Sequence, residues 1–179
     1  MSGPPHRATV RDRVTEIFRA GMPQVEGRVF RARTWSLQEG DFPALLVYGW
    51  QEELKRLGGT SAQSRFQASW ILGVEVRVRD RSRDAEEVEA ELEELTGLAR
   101  DLVLTNAGLV IGPARVIERV EGVKTTLGID TRSSELALGR GLLAFEFIWP
   151  ETFNVEQPDS GCCVGPDVAL RPVLAPSAP

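Results

Sequence analysis

The sequence predicts an α+β fold: a mostly antiparallel sheet of about five strands with two helices packed on one face. Two observations carry this. Phe66, Ala68, Trp70, Leu72, Val74, Val76 and Val78 are apolar at every second position, the period of a long strand with one buried face. Shortly after, Ala85, Val88, Leu92, Leu95, Ala99 and Leu102 step by three and four, the seam of an amphipathic helix. Together with the flanking segments they give the order α, β, β, β, α, β, β, which builds two layers around one core.

The first element is a helix. Residues 1–7 contain Gly3, Pro4 and Pro5 and are expected as a flexible arm. Thr9 and Asp12 have capping-box spacing. Val10, Val14, Ile17 and Phe18 then form one stripe. Gly21 is expected as a left-handed cap, and Pro23 stops the helix by lacking an N–H.

Residues 27–33 are a short strand candidate, followed by a polar connection over 35–41. Residues 42–50 are nearly continuously apolar, which predicts a central strand. Residues 51–64 carry Gly58, Gly59, Thr60 and Ser61 and are expected as a long loop before the strand at 66–78. Ser82 is a candidate N-cap for the acidic helix, with Asp84 in the first turn. Its seam lasts under three heptads, so it covers the sheet rather than forming a coiled coil.

Beyond Asn106, residues 115–123 predict another strand, with Val116 and Val120 on one face and Ile117 on the other. Residues 122–141 are polar and Gly-rich, which leaves open a hairpin or a loop ordered by a partner. Residues 142–149 are the last strand, stopped by Pro150. The expected domain runs over 8–152. Residues 153–179 are expected as a Pro-, Gly- and Ala-rich tail.

The composition is that of an ordinary globular chain: 179 residues, 42% hydrophobic and 26% charged. No apolar run reaches the ~20 residues that cross a bilayer, and no N-terminal apolar stretch marks a secretory signal. The expectation is a protein kept in the cytoplasm, with no membrane partner. Cys162 and Cys163 are adjacent. A bridge between neighbours strains the intervening peptide, so reduced thiols are expected.

The net charge of −5 is unevenly spread. Residues 1–81 carry 13 basic and 9 acidic groups, residues 82–101 carry 2 and 8, and residues 102–179 carry 6 and 9. The acidity is concentrated in one short segment, and no basic patch marks a general nucleic-acid binder.

Catalytic chemistry finds few residues to use. His6 is the only histidine and falls in the expected arm, as a solvated side chain. That removes the usual general base, triad member and metal ligand. Residues 58–61 lack the Lys and spacing of a phosphate loop, and Gly139-Arg140-Gly141 is not a dinucleotide fingerprint. No cofactor is expected. The acidic side chains of the helix read first as a solvated face and second as a surface that repels DNA or meets a basic partner. Trp35, Trp50, Trp70 and Trp149 are assigned to core or interface packing.

Several runs carry a family likeness: RDRVTEIFRAGMPQVEGRVFRAR into FPALLVYGW, then WILGVEVRVRD before AEEVEAELEELTGLA, and finally LLAFEFIWP. Over roughly residues 8–152 this resembles the tail terminator proteins of long-tailed bacteriophages, the group of the phage lambda minor tail protein U, with relatives in gene transfer agents. The resemblance implies a virion protein assembled in the host cytoplasm. It implies a homohexameric ring on the last ring of tail-tube protein, which stops polymerisation and receives the head connector. DNA passes through the hole without sequence-specific binding, and no reaction is catalysed. Glu75, Arg77, Arg79 and Arg81 are the candidates for the subunit interface. Lys55, Arg56, Arg65, Lys124 and Arg132 are the candidates for loops that touch tube or connector. Glu87, Glu91 and Glu94 are the candidates for an acidic lumen. Another tail or neck component of similar build and a small cytoplasmic enzyme remain the competing readings.

Overall fold

A computed structural model describes residues 6–31, 37–80, 85–111, 115–130 and 137–154. Its elements are α1 (His6–Gly21), β1 (Val29–Phe30), β2 (Ala44–Gly59), β3 (Gln63–Asp80), α2 (Ala85–Leu104), a one-turn α3 (Ala107–Val110), β4 (Arg119–Asp130) and β5 (Ala137–Asn154). The strands form one sheet in the order β1-β2-β3-β5-β4. β1 joins β2 in parallel, and the remaining three pairings are antiparallel. The α+β class, the five strands and the two-layer build are as the sequence predicts.

The alternation in β3 does what its period requires. Ala68, Trp70, Leu72, Val74, Val76 and Val78 are buried. Register places Val74 between Val47 of β2 and Leu143 of β5, and Leu72 beside Phe145. These side chains meet Val10, Val14 and Phe18 of α1 and Val88, Leu92, Leu95 and Ala99 of α2 in one core. The seam of α2 departs from expectation at its ends. Ala85 is exposed and Leu102 only half-buried, while Thr96 and Val103 are buried.

Two glycines mark where the helical layer touches backbone. A Cβ on Gly21 would lie 2.7 Å from Leu102 Cδ2, and Gly21 is not among the residues with positive φ. It permits close approach of α1 to α2 and is not a left-handed cap. The left-handed positions are Glu26 and Gly27, just after it. On β5, a Cβ on Gly141 would lie 2.4 Å from Thr96 Oγ1, a buried hydroxyl with no hydrogen-bond partner. Gly141→Ala is therefore expected to cost about 1–2 kcal/mol through overpacking. Thr96→Ala in the same chain should return most of that cost, since it removes both the clash and an unsatisfied group. A double-mutant cycle by urea denaturation checks this.

The strands run much further than the apolar pattern suggests. The expected loop over 51–64 is β-structure: β2 continues to Gly59 and β3 starts at Gln63. Gly58 and Gly59 adopt φ of 147° and 126°. The turn closes with Thr60 N–H donating to the Gln63 carbonyl and Gln63 N–H donating to Thr60 Oγ1. Of the alternatives left open for 122–141, a hairpin of β4 and β5 is observed. Residues 115–117 are not part of β4. Val116 and Ile117 instead donate to the Leu109 carbonyl at the end of α3. Pro150 does not end β5, which continues to Asn154. β4 begins opposite Ile148, so among the described residues Pro150 has no strand neighbour on that side and its missing N–H need break no ladder there.

The N-terminal boundary also moves. α1 starts at His6, inside the segment expected as an arm. Residues 81–84, 131–136 and 155–179 lie outside the described residues. They include Arg81, the Ser82 cap, Arg132, Cys162 and Cys163.

Candidate interaction surfaces

The far half of the β2–β3 hairpin and the end of β5 form a three-stranded arm. Register pairs Arg56 with Phe66, and Phe66 with Glu151. Two irregularities interrupt the β2–β3 ladder, between Gly49 and Gln51 and between Arg56 and Gly58. The skipped residues are Trp50 and Leu57, both large, apolar and exposed, Trp50 at 48% and Leu57 at 55%. A bulge leaves its extra residue unpaired and redirects its side chain. Leu54 and Phe153 are also exposed, and the Phe153 ring meets Phe66 edge-on at 5.5 Å. Leu54, Leu57 and Phe153 are thus exposed on the arm, with Trp50 at its base beside Arg7 and Arg11, and exposed apolar groups of this kind mark a contact surface. Lys55, Arg56 and Arg65 lie on these strands rather than on a loop. Their backbone is fixed by pairing; Arg56 shares the helical side of the sheet with Leu54 and Phe66, and Lys55 and Arg65 lie on the other side. Lys124 likewise lies within β4.

The face of the sheet away from the helices carries a charged knot. Glu75 is only 1% exposed. Its Oε1 accepts from Arg77 Nε at 2.7 Å and Arg140 Nε at 2.8 Å, and its Oε2 accepts from Arg140 Nη2 at 3.0 Å. Register sets Arg77 directly opposite Arg140, so both guanidinium groups converge on one carboxylate. The knot floors a groove of about 520 Å³ lined in part by Thr126, Leu138 and Leu142. Glu75 is thus satisfied within its own chain and its side chain is not a contact group. Arg77 and Arg140 reach solvent. Arg79 lies 6.0 Å from the Phe42 ring centroid, within cation–π range.

The acidic side chains of α2 are mostly at the surface: Glu87 and Glu94 are exposed and Glu91 is half-buried. On β4, Glu121 accepts from Arg119 Nε at 2.6 Å and Glu118 from Nη1 at 3.1 Å. The hydrogen bond to Glu121 holds the Arg119 guanidinium above its ordinary pKa.

His6 is not a solvated tail residue. Its Nε2 is hydrogen-bonded to the Val116 carbonyl, and its ring lies 4.9 Å from that of Trp149. With the carbonyl as acceptor, Nε2 carries the proton. A cleft of about 530 Å³ adjoins it, lined by Arg115, Glu118, Pro150 and Glu151 among others. Next to it, Arg7 pairs with Glu52 at 2.6 Å and ties α1 to β2. Among the described residues no three His, Cys, Asp or Glu side chains gather to hold a metal ion, and no helix is long and apolar enough to cross a membrane.

The sequence reading missed Arg140, His6 as a packed residue, and the bulge positions of Trp50 and Leu57. A signal for His6 existed, because it stands four residues before Val10 and extends the stripe through Val14 and Phe18.

No family model matches this chain, and no curated protein matches it. Among solved structures, one similar chain shares 17% identity, covering 84% of this chain and 95% of the other, at a TM-score of 0.32. So loose a likeness carries no argument about function.

Proposed function

We propose that this chain is a phage tail terminator: a ring-forming, non-enzymatic virion subunit that caps the tail tube and receives the head connector. DNA passes through the ring without sequence-specific contact. The reading starts from the sequence resemblance. The observation that supports it best is the arm, whose β2 residues are largely exposed and which presents Trp50 and Leu57 from two bulges. A rigid apolar projection suits docking on a large protein partner such as the end of a tube.

Native mass spectrometry and negative-stain imaging test the ring, with a hexamer expected either free or on tube ends. Trp50→Ser combined with Leu57→Ser should leave the unfolding midpoint almost unchanged, because both residues lie outside the core. It should weaken tube capping by about tenfold or more, the loss typical of truncated apolar anchors. A strict monomer, even with tubes present, overturns the reading. Filaments grown from the purified protein would instead assign it to the tube itself.

A further inference from the structure

We propose that neighbouring subunits join head to tail through their sheet edges, the free edge of β2 in one copy pairing with the free edge of β4 in the next. This rests on the ring reading and names the contact that closes it. β1 covers β2 only at Leu45 and Leu46. Among the described residues, 51–59 of β2 and the whole of β4 have a strand neighbour on one side only. An edge of this length presents a row of unpaired N–H and C=O groups that template another strand. Natural edges are usually shortened, covered, charged, bulged or broken by proline. Bulges interrupt β2 at Trp50 and Leu57 and β4 between Val120 and Gly122, but residues 51–56 and 122–130 pair without a break and contain no proline.

Three features favour a second copy as the occupant. The first is direction. β2, β3, β5 and β4 alternate along the sheet. In a ring whose copies all point the same way, β4 of one copy therefore runs antiparallel to β2 of the next, and the antiparallel ladder continues. The second is geometry. The two edges are different surfaces, so the contact is heterologous, the kind that closes into rings. The free stretches lie at different heights on the sheet, so pairing them staggers adjacent copies, as strand tilt does in closed barrels. The third is side-chain match. Leu54 and Leu127, 41% and 42% exposed, both point to the helical side, since their register partners are Ala68 and Gly141. An antiparallel register that sets Leu54 opposite Leu127 puts apolar beside apolar on that face.

Cysteine cross-linking tests this in the full chain, with Cys162 and Cys163 replaced by Ser. Leu54→Cys is combined in turn with Val123→Cys, Thr125→Cys, Leu127→Cys or Ile129→Cys, which share its side of the sheet. Within one copy β3 and β5 hold β2 and β4 about 14 Å apart, beyond the roughly 7 Å that a disulfide spans. Any bridge is therefore between copies. One combination is expected to give a ladder of multimers beyond the dimer on oxidation, while each single substitution gives none. Dimers from Leu54→Cys alone mean β2 meets β2, and dimers from Leu127→Cys alone mean β4 meets β4; either overturns the proposal. Rings seen by native mass spectrometry but cross-linked by no combination overturn the edge contact and leave the ring reading standing. Monomers under every condition, tubes included, overturn both.

Discussion

Phe147→Ala is expected to destabilise the fold by about 3–5 kcal/mol, the cost of emptying a large aromatic site that cannot collapse. Phe147 is fully buried on β5, the strand between β3 and β4. Its ring stacks on Phe145 at 5.9 Å and 21°, and lies 6.5 Å from Trp70, its register partner on β3. On the other side the register partner is Val120 of β4. Backbone pairing on both flanks prevents β5 from moving inward to fill the gap. Phe153→Ala on the same strand is the control. Its ring is 42% exposed and meets only Phe66 among the aromatic rings described, so about 1 kcal/mol or less is expected. Urea denaturation reads both. Against a typical total of about 5–15 kcal/mol, the first loss unfolds much of the population in mild denaturant and the second does not. Equal losses would mean that the arm is as cooperative a part of the core as β5 itself.

The contrast between Phe147 and Phe153 also shows what was legible in the sequence. Period-two patterning reports burial on one face, so it revealed β3 and the middle of β5, where α1 and α2 cover the sheet. It failed on residues 51–59 of β2, where all side chains but that of Glu52 are exposed and Glu, Lys and Arg are tolerated on both faces. There the strand is held by pairing with β3, an interaction that leaves no apolar period. Bulges erased the signal elsewhere. One register shift between Val120 and Gly122 breaks the alternation of β4, and another at Trp50 does so on β2. The face of β3 with Glu75 and Arg77 was legible as a candidate surface, but not its internal partner. Arg140 lies 65 positions from Glu75, and only the β3–β5 register brings them together. Local spacing carries no trace of such a pair.

Removing both arginines of that knot, Arg77→Met with Arg140→Met, is expected to cost about 3 kcal/mol. The reason lies in Glu75 rather than in the arginines. Its carboxylate is almost fully buried and takes three charge-assisted hydrogen bonds from them. Without them it is an uncompensated buried charge, which typically costs about 3–5 kcal/mol. The lower end applies because the arginine side chains are 28% and 59% exposed, so the site opens to water once they are shortened. Glu75→Leu alone should cost much less, since each freed guanidinium can turn to solvent. The triple variant with Leu at 75 and Met at 77 and 140 should recover most of the loss, because replacing a whole buried ion cluster by apolar side chains is often neutral or stabilising. Denaturation midpoints of the three variants separate the explanations. If the triple variant is as unstable as the double, the arginines act through packing of their stems over the groove. If the triple recovers, the knot contributes little net stability. Its role is then to fix the two guanidinium groups side by side on the open face of the sheet, where they give the groove its positive charge.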